Sequence, residues 1–138
     1  MTMIPASEDE RIVMILLEAL PDLLAIYRFG STATGTEVRE SDVDLAVLPA
    51  APLDTLRRWD LQEQLAISLH VPVDLVDMLS ASTVMRMQVL QSSILLFESD
   101  RAAREGFETT VYSSYARLNE ERSEILEQVR REGAVYGR

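Results

Sequence analysis

A Gly-Ser pair at Gly30 and Ser31 is followed, after ten residues, by Asp42 and Asp44 with a single valine between them. Residues two apart on a strand project to the same side, so an extended DVDLAVL run aims both carboxylates at one point. Carboxylates are hard oxygen ligands of the kind that hold Mg²⁺, an ion that keeps substrate phosphates and water in its other positions. A turn of small residues lets backbone amides approach a phosphate, which any side chain at Gly30 would hold away. The Ser31 hydroxyl adds a donor. These are the parts of a metal-nucleotide site.

A third carboxylate is needed to hold a divalent ion firmly, and the run VPVDLVDM offers Asp74 and Asp77. Being three positions apart, they face opposite sides of a regular strand, so only one can join the cluster. Asp74 lies in the strand interior between Val73 and Leu75 and is preferred; Asp77, near the strand end, is the alternative. Converging carboxylates repel one another unless a cation pairs with them. Two Mg²⁺ ions there would activate an attacking oxygen and stabilise a leaving pyrophosphate.

The elements that must position these groups are legible in outline. Ser7 and Glu10 form a capping-box pattern ahead of IVMILLEAL, predicting a helix from about 8 to 20 that Pro21 ends. LLAIYRF reads as a buried strand over 23–29, and a second strand runs from 43 to 48, stopping at Pro49. Apolar residues at 53, 56, 61, 65, 66 and 69 have helical spacing through His70. A third strand follows over 73–78, then a helix over 83–91 capped by Ser80 or Ser82, and a short strand, ILLFES. From 100 to 132 the pattern is helical and highly charged, weakly interrupted at Gly106 and at Thr109, Thr110 and Val111. This alternation predicts an α/β (α+β) domain in which a small mixed β-sheet of about four strands packs with helices. The core spans 8–98, and a C-terminal helical extension covers 100–138.

Bulk properties narrow the function. A chain of 138 residues is one domain with room for a real core and none for a second. No cysteine is present, which removes zinc-thiolate sites, thiol nucleophiles and disulfide frameworks. The longest early apolar run, 12–17, falls far short of the roughly 20 residues that span a membrane. It also follows acidic residues where a secretory signal carries basic ones, so the expected compartment is the cytoplasm. Net charge is −10, and all 13 basic residues are arginine. Such a balance disfavours direct binding to a nucleic-acid backbone. It suits a basic protein partner, or a small nucleotide carried by a metal ion.

With these residues in place, FGS-x10-DVD followed by VDLVD resembles the minimal nucleotidyltransferase family of the polymerase-β-like nucleotidyltransferase superfamily, over about 23–98. The resemblance implies a nucleotidyltransferase-like fold in which Gly30 and Ser31 contact the triphosphate of ATP. It also implies that Asp42, Asp44 and Asp74 bind Mg²⁺ and carry the catalysis. Length and the helical extension are similar to antitoxin members paired with HEPN-domain ribonuclease toxins. For those members the implied activity is transfer of AMP from ATP onto a tyrosine hydroxyl of the toxin, which silences it. One departure stands out: Thr32 occupies the place after Gly-Ser where family members often have arginine. Arg28 and Arg39 are the candidates to supply that charge.

Two other functions compete: a non-catalytic antitoxin that masks its toxin by binding, and a nucleotidyltransferase acting on a small molecule. The second usually needs a larger acceptor domain than this length allows. Among the remaining residues, His70 is expected to face a helix C-terminus, Trp59 to pack or to meet a partner, and Met78, Met85 and Met87 to fill core gaps. Tyr112 and Tyr115 lie one turn apart on the last helix, where they either pack or form a contact stripe.

Overall fold

The computed structural model describes residues 7–30 and 43–136. Along the chain these form α1 (Glu8–Ala19), β1 (Ala25–Phe29), β2 (Val43–Leu48), α2 (Thr55–Leu69), β3 (Val73–Asp77), α3 (Thr83–Gln91), β4 (Ile94–Glu98) and α4 (Arg101–Tyr136). The strands make one sheet in the order β3-β2-β1-β4. β1 is antiparallel to both β2 and β4, while β2 and β3 are parallel. The sheet is therefore mixed, as the sequence pattern predicts, and α2 is the crossover that the parallel pair requires.

Local chemistry explains where the helices begin. The Ser7 hydroxyl accepts from Glu10 N at 3.1 Å, and the Glu10 carboxylate accepts from Ser7 N at 3.0 Å, completing the capping box. Asp54 caps α2 by accepting from Arg57 N, and Ser82, rather than Ser80, caps α3 by accepting from Met85 N. His70 ends α2 at φ 62°, in the left-handed position where glycine is commoner.

Alternation along the strands divides the core between two faces. Ile26, Leu45, Val47, Val73 and Leu75 face α1 and α2, where they pack with Ile12, Leu16, Leu61, Leu65 and Leu69. Ala25, Tyr27, Phe29, Ala46 and Leu48 face the other way, against Met78 and Val89, with Met85 and Phe107 packed alongside. Phe29 and Asp44 are register partners, so Asp44 belongs to this second face.

Two expectations are corrected. Gly106 and the β-branched run at 109–111 do not interrupt α4, because Val111, 1% exposed, is held by tertiary packing that outweighs its propensity. The packing reading of Trp59 holds for only part of the side chain: it is half exposed, and Leu56 and Ile67 on α2 are more exposed still. Among the described residues, no helix is long and apolar enough to cross a membrane.

Among the described residues β3 and β4 are the outer strands of the sheet, and the edge of β3 is shielded by side chains from α2. Gln62 accepts from Leu75 N at 2.9 Å, and Arg58 donates to Leu75 O at 3.0 Å and to Gln62 at 3.2 Å. Occupying an edge amide and carbonyl in this way blunts unwanted strand addition. On the opposite side of the sheet Tyr27 ties α4 down. Its hydroxyl donates to Glu108 at 2.7 Å, and Arg104 joins Glu108 at 2.8 Å to Glu98 at 2.7 Å. Burial, reinforced by the hydrogen bond to Glu108, pushes the Tyr27 phenol far above its ordinary value, so it stays protonated.

Candidate active site

β1 leaves the sheet at Phe29 and turns at Gly30, whose φ of +88° is disfavoured for any residue with a side chain. A Cβ added at Gly30 would meet the Asp44 carboxylate, with Asp44 Cγ 3.3 Å away. The turn and the acid thus occupy one small space. Asp44 in turn pairs in register with Asp74 on β3. Neighbouring strands lie about 5 Å apart and register partners project to the same side. The two carboxylates therefore stand side by side on the face that carries α3 and α4, at the end of the sheet where β2 and β3 begin. Asp74 is exposed there.

Asp77 is engaged elsewhere. Only 4% exposed, it accepts from Leu53 N at 2.8 Å, Leu79 N at 2.9 Å and Ser80 Oγ at 3.0 Å. These bonds satisfy a carboxylate that burial would otherwise penalise, and they join the end of β3 to the approach to α2. Asp77 lies on the α1 and α2 face, away from Asp44. In the sequence, the two aspartates differ in their place on the strand, Asp74 in its interior and Asp77 at its end.

Ser31 and Asp42, together with Thr32 and Arg39, lie outside the described residues. Among the described residues no group of three or more His, Cys, Asp or Glu side chains is placed to hold a metal. Asp44 and Asp74 nonetheless provide hard oxygen donors from adjacent strands, a donor set suited to Mg²⁺.

Arg28 does not serve the site. It alternates onto the α1 face, opposite Asp44, and pairs with Glu8 at 2.9 Å and Asp9 at 2.6 Å. Burial pulls its pKa down, but the hydrogen bonds to Asp9 and Glu8 outweigh this and hold it above the ordinary arginine value. The expectation that Arg28 supplies charge to a triphosphate is therefore corrected: two carboxylates on α1 already neutralise it.

Beside Asp74, along the outer edge of β3, runs a cleft of about 370 Å³ lined by Arg58, Val76, Ser80, Ala81 and Met85. Sequence spacing gave no sign of it, because it joins residues from α2, β3, the turn that follows and α3. The α4 helix continues past this domain. Every residue from 119 to 133 is exposed, including Ile125, Leu126 and Val129.

Residues 10–102 match the family described as Polymerase beta, Nucleotidyltransferase. The chain is 40% identical over 121 residues to the protein adenylyltransferase MntA of Shewanella oneidensis, covering 88% of this chain and 86% of that protein. It is similar to a solved toxin-antitoxin complex with AMP-PNP, at TM-score 0.80 and 40% identity, over 88% of this chain and 97% of the other. A tri-AMPylated Shewanella oneidensis HEPN toxin in complex with MNT antitoxin matches at TM-score 0.75 and 37% identity, over 88% and 95% of the two chains. A chain with the fold, the Gly30 turn and the paired aspartates described above, matched over most of its length, belongs to the polymerase beta nucleotidyltransferase family.

Proposed function

We propose that this chain is an antitoxin that transfers AMP from ATP onto a tyrosine hydroxyl of a cognate HEPN ribonuclease toxin and so neutralises it. The observation that carries this is the pairing of Asp44 with Asp74 beside the Gly30 turn, in a chain whose relatives include an adenylyltransferase and an AMPylated toxin complex. The bound AMP-PNP of a similar complex supports ATP as the donor.

In this reaction the acceptor oxygen forms a bond to the α-phosphorus of ATP, the α–β bridging bond breaks, and pyrophosphate leaves. Gly30 and Ser31 hold the triphosphate, the glycine by allowing the backbone to come close. Asp42, Asp44 and Asp74 would hold Mg²⁺, two ions in the proposed site. Bound there, the ions supply charge neutralisation for the phosphates and the leaving group. Asp74, exposed where β3 begins, takes the hydroxyl proton at a carboxylate oxygen. The enzyme works in the cytoplasm, where ATP and Mg²⁺ are present and a cysteine-free chain needs no oxidising compartment.

The test is incubation of purified chain and toxin with Mg²⁺ and ATP labelled at the α-phosphate. Label should enter the toxin, and Asp42→Asn with Asp44→Asn should abolish it. Undiminished labelling by the double variant would refute the assignment of these residues. A second function, masking without transfer, is favoured by the exposed stretch 119–133 of α4, which leaves surface for docking. If the double variant still protects cells at normal expression, masking is the operative mechanism.

A further inference from the structure

The cleft along the outer edge of β3 shares Asp74 with the candidate active site, and its walls differ in chemistry from a phosphate site. Val76 and Met85 make an apolar floor, packed against the cluster beneath α3. Ala81 keeps one side low, and Ser80 is tied to Asp77. Arg58 forms the rim. Its hydrogen-bond partners are the neutral oxygens of Leu75 and Gln62, whereas Arg28 and Arg104 each bridge at least two carboxylates. Strand addition cannot account for the cleft, because Gln62 and Arg58 already occupy the amide and carbonyl of Leu75. What remains is a shallow apolar seat with an acid at one end and a half-buried guanidinium at its rim.

We propose that this cleft is the acceptor groove: it takes the segment of the protein substrate that presents an aromatic hydroxyl side chain flanked by a carboxylate. The ring rests on Val76 and Met85, where a thioether favours an aromatic edge. Its hydroxyl points toward Asp74. The flanking carboxylate pairs with Arg58, whose fork suits a carboxylate's two oxygens. In a chain of net charge −10, this arginine offsets the repulsion that an acidic acceptor would meet. The groove rests on the transfer reaction proposed above and adds to it the route of the acceptor and the residues that select it.

The test uses full-length chain and intact toxin. Ala81→Trp fills the groove without removing a hydrogen bond, and Arg58→Ala removes the charge at its rim. Each should raise KM for the toxin about tenfold, Arg58→Ala by losing one charge-assisted contact and Ala81→Trp by occluding the apolar seat, with smaller change in kcat. Affinity for AMP-PNP, measured separately, should stay near wild type. Replacing the carboxylate beside the acceptor by its amide should cost the wild-type enzyme a similar factor and the Arg58→Ala enzyme almost nothing. Arg58→Lys should recover part of the loss.

Wild-type KM in both Ala81→Trp and Arg58→Ala would overturn the groove while leaving the transfer reaction standing. Equal sensitivity of the wild-type and Arg58→Ala enzymes to the amide would overturn the role of Arg58. A wild-type chain that transfers no AMP at all would overturn both the reaction and the groove.

Discussion

Gly30 and Asp44 compete for the same volume: the space a side chain would fill at position 30 is taken by the Asp44 carboxylate. Gly30→Ala therefore suffers twice, from the positive φ and from the displaced acid. The backbone strain alone should cost about 1–3 kcal/mol of stability. AMP transfer should fall by about a hundredfold or more, because a displacement of about 1 Å is enough for that loss. Thermal unfolding and labelled-AMP transfer measured on the same preparation separate the two effects.

Asp74 and Asp77 should answer substitution in opposite ways. In Asp77→Asn the new amide turns a donor toward Leu53 N or Leu79 N, whichever way it is flipped. A buried donor facing a donor should lower stability by about 2–3 kcal/mol. Asp74→Asn, on an exposed side chain, should leave the melting temperature unchanged and abolish transfer. Loss of stability in the second variant and not the first would reverse the two assignments.

Acid should loosen the attachment of α4. The hydrogen bond from Arg104, with help from Arg101 and against the opposing effect of desolvation, holds the Glu98 carboxyl below its usual 4.5. A group whose pKa is depressed by folding contributes stability above its unfolded value and loses it as pH falls through the folded value. Glu98→Gln should thus be less stable than wild type at neutral pH. The gap should close below pH 4.5. Melting temperatures of both proteins across that range give the result.

Removal of the distal part of α4 should spare the domain. Residues 119–133 are exposed throughout, and substitutions on such a surface usually change stability by under about 0.5 kcal/mol. A chain ending at Leu118 should melt within about 4 °C of the full protein. If the exposed stretch serves docking, the shortened chain should also lose affinity for the toxin, which a pull-down with purified toxin would register.

Much of this architecture is legible in the chain because it rests on local rules. Capping by Ser7 and Ser82, the alternation in VDLAVL and the helical spacing of Leu61, Leu65 and Leu69 each announce their element within a few residues. The neighbouring positions of Asp44 and Asp74 follow from strand register, which a parallel pair joined by one helix makes accessible to reasoning. What stays hidden depends on residues far apart in sequence. The carboxylates that claim Arg28 come from α1, and the hydrogen bonds that hold Asp77 come partly from Leu53, 24 positions away. Trp59 shows the limit of composition: a large aromatic on an amphipathic helix lies outside when the sheet is already covered by its neighbours.

The place of β1 between β2 and β4 also constrains how the chain folds as it is made. β1 and β2 are near in sequence and pair early, but the other edge of β1 must wait for β4. The Tyr27 hydroxyl waits longer still, for a carboxylate 81 positions downstream. Contacts so distant form late and slow the approach to the native state. During synthesis on the ribosome, a nascent chain holding only the first three strands exposes an unpaired central strand, an invitation to misassociation. Emergence of the last third closes that edge and seats α4 with it, so sheet completion and display of the helix's outer surface happen together.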